Sequence, residues 1–251
     1  MIGELIKRLR PIRYYLQRPF HKKHASKISG YKNSRIGESV TIVCNGPSLN
    51  STDLSRINMP TIGMNKINLI FEKQKKWKPD YVICSNGLVI NQNKEFFENY
   101  SNPVFLDFKA AQLGVKGHNI HYFLSSHRRY FSKTFDKEIG SAGTVTFAAI
   151  QLAYYLGFKN IYIVGMDHNY KGHSANKSFS KIERFEGDDL NHFDPNYFKG
   201  DLWGTPNLFI SEYGYKISRE FLEKNEVNIY DCTINGKCEI FEKKSINSIY
   251  S

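Results

Sequence analysis

The sequence predicts an α/β domain built on a mainly parallel sheet with helices on both faces. Short β-branched or aromatic runs recur at residues 39–45, 59–65, 80–86, 102–108, 118–126, 160–167 and 227–233, with helical stretches between them. These runs are continuously apolar rather than alternating, the pattern of strands covered on both faces. A chain of 251 residues, 41 % hydrophobic and 14 % aromatic, can bury a core of the size this requires, which excludes disorder for most of its length.

Taken in order, SVTIVCN leads into Asn-Gly-Pro-Ser, and MPTIGMN, DYVICSN, NPVFLDF and HNIHYFLSS follow as successive strands. The longest helix candidate is GTVTFAAIQLAYYLGF, where Val145, Ala148, Ala149, Leu152, Tyr155 and Leu156 recur with the helical period and Gly157 is placed to stop it. The strands NIYIVGMD and VNIYDCT come after it. No repeat, low-complexity tract or linker divides the body. Four of the runs end on a polar residue, Asn45, Asn65, Asn86 and Asp167. In an open parallel sheet the carboxyl ends of the strands line the ligand crevice, so these four are expected to converge there. The competing reading is that Asn and Asp simply begin turns.

The net charge of +11 is unevenly distributed. Residues 1–32 carry nine basic side chains and one acid, Glu4, whereas the rest of the chain is only +3. A uniformly basic nucleic-acid-binding domain is therefore not indicated. The expected organisation is a basic amphipathic arm over 1–35 and one α/β domain over 36–251. In the arm Leu5, Ile6, Leu9, Ile12 and Leu16 have near-helical spacing, interrupted by Pro11 and Pro19. Two short amphipathic pieces of this kind suit an anionic membrane surface. Packing on the domain, or on a partner subunit in a homo-oligomer, is the alternative. No apolar run is long enough to span a bilayer and the first residues lack a signal-peptide core, so the expected location is cytoplasmic, peripheral to the inner face of the membrane. Cys44, Cys84, Cys232 and Cys238 show no paired spacing and read as reduced thiols, with a Cys232–Cys238 bridge as the alternative.

Four motifs carry chemistry. In CNGPSL, Gly46 permits close backbone approach, Pro47 suits a first helical turn, and the N–H groups that follow can hold phosphate. It has neither a Walker lysine nor the three glycines of a dinucleotide fingerprint. GSAGT, with Ser141, Gly143 and Thr144, opens the long helix and either caps it or touches a ligand. In GMDHNYKGHS, Asp167 ends a strand, and His168, Tyr170, Lys171 and His173 form a donor cluster suited to a phosphate leaving group. Asp167 and His168 are alternatively metal ligands, although no D-x-D sequence is present. In NHFDPNYFKGDLWGTPN, His192 sits among aromatic residues. Imidazole is the usual base for a hydroxyl nucleophile at neutral pH, and a packed or surface histidine is the plainer reading.

In this order, CNGPSL, GMN, GSAGTVTFAAIQLAYYLGFKNIYIVGMDHNY, NHFDPNYF and NIYDCTINGKCEIFEK resemble the DUF115 family. That family includes the motility accessory factor (Maf) proteins and the MptE-like pterin pyrophosphokinases. The Asn-Gly-Pro-Ser turn and the Gly-Met-Asp-x-x-Tyr strand end are also similar to bacterial sialyltransferases of glycosyltransferase family 42. The resemblance covers about residues 38–245 and implies a Rossmann-like, sialyltransferase-like variant of the GT-A architecture. It also implies that Asn45, Gly46 and Ser48 lie near the nucleotide and its phosphate, Asn65 near the phosphate or sugar, and Ser141, Gly143 and Thr144 near the cytidine or donor sugar. By the same resemblance Asp167 and His168 lie near the nucleotide, Tyr170 near the leaving phosphate, and His192 acts as the base. The histidine of family 42 sits in a different local context, so the role of His192 rests on order and position.

The function expected from these readings is metal-independent, inverting transfer of a CMP-activated ulosonic acid, a sialic acid-like sugar or Kdo, to a hydroxyl of a cell-envelope glycan such as lipopolysaccharide or capsule. Two rivals stand beside it. One is a 6-hydroxymethylpterin diphosphokinase using ATP and Mg²⁺, with Asp167 and its neighbours as metal ligands. The other is a non-catalytic nucleotide-sugar-binding protein.

Overall fold

Each of the seven β-rich runs forms a strand in the computed structural model, which describes residues 24–170 and 182–250. They are β1 (Ser39–Val43), β2 (Thr61–Met64), β3 (Tyr81–Cys84), β4 (Val104–Asp107), β5 (Ile120–Phe123), β6 (Asn160–Val164) and β9 (Asn228–Asp231). An eighth strand, β10 (Glu242–Lys243), extends the sheet, giving the order β10-β9-β6-β1-β2-β3-β4-β5. Every pairing in it is parallel. A separate antiparallel hairpin pairs β7 (Ile182–Arg184) with β8 (Leu202–Gly204), neither of which is among the strands read from sequence. The helices are α1 (Gly87–Gln92), α2 (Lys94–Asn99), α3 (Lys109–Gln112), α4 (Val145–Leu156) and α5 (Leu208–Lys224).

Alternation along the strands divides the core into two layers. Val40, Ile42, Ile83, Phe105, Ile161 and Ile163 point to the face covered by α4 and α5. Val43, Val82, Val104, Leu106 and Val164 point to the opposite face, packed with Val89, Ile90 and Phe97 of α1 and α2. Both faces are thus apolar, which is why the strands read as continuous rather than alternating runs.

Helix α4 follows its sequence pattern closely. Thr144 caps it by accepting the Thr146 N–H at 3.3 Å, and Gly157 ends it in the left-handed region, φ +96°, with Asn33 and Ile36 leaving no easy room for a side chain. Inside it Gln151 is fully buried. Its oxygen accepts from the Ser132 and Gly140 N–H groups and its nitrogen donates to the Gly140 carbonyl, tying the 130–140 segment to the helix.

Residues 24–29 are helical, and Ile28, in the stretch that the charge count groups with the arm, is fully buried in the α4-side core. The Tyr31 hydroxyl lies 3.0 Å from His121 Nε2, and Arg35 donates to the Tyr81 hydroxyl. Burial, with Lys27 and His24 adding to it, lowers His121 to about 4, so this imidazole is neutral at neutral pH. Residues 1–23 and 171–181, including Lys171 and His173, lie outside the described residues. All four cysteines are buried and free, so Cys232 and Cys238 are not bridged. No helix among the described residues is long and apolar enough to cross a membrane.

Candidate functional site

Strands β2 to β5 lie on one side of β1, and β6, β9 and β10 on the other. The chain therefore leaves β1 and β6 in opposite directions, and the carboxyl ends of these two strands border the topological switch point where parallel sheets hold ligands. The CNGPSL and GMDHNY segments both emerge there.

Asn45, directly after β1, is 7 % exposed. Its Nδ2 donates to the Met64 carbonyl, and its Oδ1 is buried with no partner. An orphaned acceptor at this point is suited to a donor group on a ligand. Gly46 donates its N–H to the Gly165 carbonyl at 2.8 Å. A Cβ on Gly46 would stand 2.0 Å from Asp167 Oδ2 and 2.7 Å from the Gly165 carbonyl oxygen, so close approach of the β1 and β6 loops requires glycine.

The following turn differs from expectation. Pro47–Ser51 is a five-residue 3-10 turn, and the Ser48 N–H that was to await phosphate donates to Asp167 Oδ1 at 3.1 Å, while Ser48 Oγ donates to Oδ2 at 2.6 Å. The chain has placed its own carboxylate at the positive end of the turn, the nearest available anion. Burial raises the pKa of Asp167, opposed chiefly by the two Ser48 hydrogen bonds.

Beyond Asp167, His168 adopts φ +53° and turns to α5, its Nε2 3.0 Å from Glu212. Tyr170 is half-buried, and its phenol is pushed up to about 12 by burial, then by the charges of Asp189, Cys44 and Asp167. It is therefore a protonated donor at neutral pH, close to both carboxylates. The Cys44 and Cys84 thiols are likewise pushed up to about 12 by burial, which leaves them unreactive.

The β7–β8 hairpin encloses the segment that carries His192. The Phe193 N–H donates to the Asn45 carbonyl at 3.0 Å and Asn50 donates to the Phe193 carbonyl at 2.9 Å, so the chain next to His192 is pinned to the end of β1. His192 Nδ1 donates to Asp189 Oδ2 at 2.8 Å, and the Asp189 side chain is 1 % exposed. The imidazole is stacked on the Tyr197 ring, centroids 4.0 Å apart and 8° from parallel, with Phe198 edge-on at 5.2 Å. With Nδ1 committed to a carboxylate, Nε2 is the atom able to take a proton. Tyr197 belongs to the aromatic setting that the sequence gives His192, whereas Asp189 was not singled out from sequence; its position three residues before His192 was the available signal.

The remaining candidates are more dispersed. Thr144 caps α4, and Thr146, two residues on, reaches Cys44 Sγ at 3.6 Å and Met64 Sδ at 3.8 Å, which sets the start of α4 over the ends of β1 and β2. Gly143 has φ +67°; Ser141 is exposed and its N–H donates to the Arg128 carbonyl. Asn65, at the end of β2, accepts from the Cys84 thiol. Asn86, two strands from β1, accepts the Leu88 N–H and caps α1, the turn role weighed against ligand contact. Asn45, Gly46, Ser48, Asp167, Tyr170 and His192 are thus gathered at the switch point, with Thr144 beside them. Among the described residues no three His, Cys, Asp or Glu side chains are arranged to hold a metal ion.

Comparison with known proteins adds three findings. The family model described as 6-hydroxymethylpterin diphosphokinase MptE-like matches residues 14–173. No curated protein sequence matches the chain. Among solved structures, the chain is similar to the sialyltransferase CstII from Campylobacter jejuni in complex with the substrate analogue cytidine-5'-monophosphate, with 18 % identity over 86 % of this chain and 88 % of that one, TM-score 0.50. CstII in complex with CMP-3FNeuAc matches at 17 % identity over 85 % and 88 % of the two chains, TM-score 0.45. At such identities the likeness is one of fold.

Proposed function

The chain belongs to the MptE-like family, described as 6-hydroxymethylpterin diphosphokinase MptE-like, and from that premise and the crevice geometry we propose that it is an inverting glycosyltransferase. It takes a sugar from a nucleotide donor, a CMP-activated ulosonic acid, and moves it to an acceptor hydroxyl. The observation that carries the proposal is the Asp189–His192 pair pinned beside Asn45 at the switch point. His192 Nε2 takes the acceptor proton as the acceptor oxygen bonds to the anomeric carbon and the bond from that carbon to the phosphate oxygen breaks. CMP departs with the bonding electrons, and the protonated Tyr170 donates to its phosphate. The CstII structure whose fold this chain resembles holds cytidine-5'-monophosphate.

Family membership does not decide against this chemistry. The match ends at residue 173, so it covers the floor of the crevice and stops before Asp189 and His192. It does support a second reading, phosphoryl transfer from ATP with Mg²⁺. The acids at the switch point do not fit a divalent cation as they stand: Asp167 is held by Ser48, Asp189 by His192, and Asp231 by Lys243 at 2.5 Å.

A thermal-shift panel of CMP, CDP, UDP, GDP and ATP, with and without Mg²⁺, separates the readings. CMP at about 100 times its Kd is expected to add roughly 2.7 kcal/mol, a rise of about 5–10 °C for a chain of this size, without Mg²⁺. Stabilisation by ATP with Mg²⁺ and none by CMP would establish the diphosphokinase reading instead. Binding of CMP with no release of CMP from a CMP-sugar would leave a non-catalytic binder.

The basic arm enters the same proposal as the contact with an anionic membrane carrying the envelope-glycan acceptor. Because Ile28 is core, the informative deletion is 1–23 rather than 1–32. Removing 1–23 is expected to abolish co-sedimentation with phosphatidylglycerol vesicles and to leave turnover of a soluble acceptor within about twofold, since each lost basic residue weakens surface attraction by about 1 kcal/mol. Retained vesicle binding would disprove the membrane role.

A further inference from the structure

We propose that Lys66 is a positioning residue for the base, holding the aromatic support on which His192 is stacked. The inference rests on the reading of His192 as the proton acceptor. Lys66 follows Asn65 at the end of β2 and is 6 % exposed. Its backbone N–H donates to the Tyr197 hydroxyl at 3.2 Å, and its ammonium donates to the Tyr197 carbonyl at 2.8 Å and to Asp201 Oδ2 at 2.7 Å. The same ammonium lies 5.1 Å from the Phe198 ring centroid and 5.8 Å from that of Tyr197. One residue of the sheet thus grips Tyr197 at both its hydroxyl and its backbone, and Tyr197 carries the imidazole.

Packing alone gives little reason for this arrangement. Burying an ammonium is unfavourable unless it is paired, and its carboxylate partner among the described residues, Asp201, is 41 % exposed. An apolar side chain of the same length would fill the space without that desolvation. What the ammonium supplies is direction. Two short charge-assisted donations fix the 197–201 segment against the end of β2, and therefore fix where His192 stands relative to the ends of β1 and β2. Asp189 sets which nitrogen of His192 is free, and Lys66 sets where that nitrogen lies.

The test uses Lys66→Met, Lys66→Arg and Asp201→Asn in the full chain, read by CMP release from CMP-N-acetylneuraminate and by the His192 imidazole resonances. In the release reaction water attacks the anomeric carbon, its proton passes to His192, and CMP leaves. Lys66→Met is expected to lower kcat about 10- to 100-fold with KM for the donor within about twofold, the signature of a displaced group rather than of weakened binding. Its imidazole resonances should shift, and Lys66→Arg should recover part of the rate. Asp201→Asn alters a half-exposed side chain, so it keeps the fold even if Lys66→Met does not, and should change kcat in the same sense by a smaller factor. Unchanged kcat and unchanged His192 resonances in either folded variant, while His192→Ala is inactive, overturn the inference alone. A wild-type protein that releases no CMP, or a His192→Ala variant that releases it normally, overturns the functional reading instead. The imidazole spectrum still reports on Lys66 in that case.

Discussion

Replacing His192 with alanine is expected to lower sugar transfer about 10²- to 10⁴-fold, the usual contribution of a positioned general base. Donor binding should survive, because the imidazole is stacked on Tyr197 and bonded to Asp189 rather than built into the loops at Asn45 and Asp167. Asp189→Asn should cost about 10- to 10³-fold, since the imidazole remains but an amide can present either its oxygen or its NH₂ to Nδ1. The two changes act on one unit. The double variant is therefore expected to be no slower than His192→Ala alone, whereas independent roles would multiply. The check is kcat and donor KM for the three variants across pH 6 to 8. If His192→Ala transfers at the wild-type rate throughout that range with donor binding intact, His192 is not the base.

The second large effect is structural and falls on the same crevice. Gly46→Ala places a methyl group 2.0 Å from Asp167 Oδ2 and 2.7 Å from the Gly165 carbonyl oxygen. The carboxylate can swing away only by giving up Ser48, and the Gly165 carbonyl can withdraw only by losing the Gly46 N–H that it accepts. A loss of at least about 3 kcal/mol is expected, the upper range for an overpacked site, together with loss of nucleotide-induced stabilisation. Gly204→Ala is the control: nothing lies within 4 Å of a Cβ there, so it should stay within about 0.5 kcal/mol of wild type. Adding Asp167→Ala to Gly46→Ala should recover part of the loss, because the carboxylate contact disappears while the carbonyl contact persists. Urea unfolding of the four proteins measures all of this. A Gly46→Ala protein as stable as wild type would mean that the β1 and β6 loops have slack that their hydrogen bonds deny.

The parts of the fold legible in the sequence are those that physics writes locally. Seven strands were readable because burial on both faces demands uninterrupted apolar runs, and α4 because ten of its twelve residues are buried between a capping threonine and a left-handed glycine. The elements that escaped carry no such mark. Strand β10 is two charged residues at the sheet edge, and β7 is Ile182–Arg184 with one apolar side chain. Helix α5 escaped because much of its buried face is Ser211, Gly214 and Ser218; Gly214 lets it approach Ala142, whose Cβ would be 2.4 Å from one placed on Gly214. At the site, Gly46 and two of the four strand-end polar residues, Asn45 and Asp167, lie at the switch point, whereas Asn65 accepts from Cys84 and Asn86 caps α1. The contacts that define it join distant residues, Ser48 with Asp167 and Lys66 with Tyr197, and pairings of that kind leave no pattern in either partner's neighbourhood. A lysine after a strand reads as solvated until the aromatic segment that buries it is in place.

The strand order also bears on how the protein is made. Strands β1 to β5 are laid down in sequence, each beside the one before, but β1 pairs on its other side with β6, Ser39 opposite Asn160. Until about 120 further residues have been synthesised, the side of β1 that will meet β6 has no partner anywhere in the nascent chain. At roughly 5–20 residues per second that interval is about 6–24 s. Throughout it, Val40, Ile42 and Val43 form an apolar stretch with unpaired backbone groups, the kind of edge that recruits foreign strands. The crevice is therefore also the seam at which the newborn chain is most open to misassembly, and β6 closes it as the loop after it supplies Asp167.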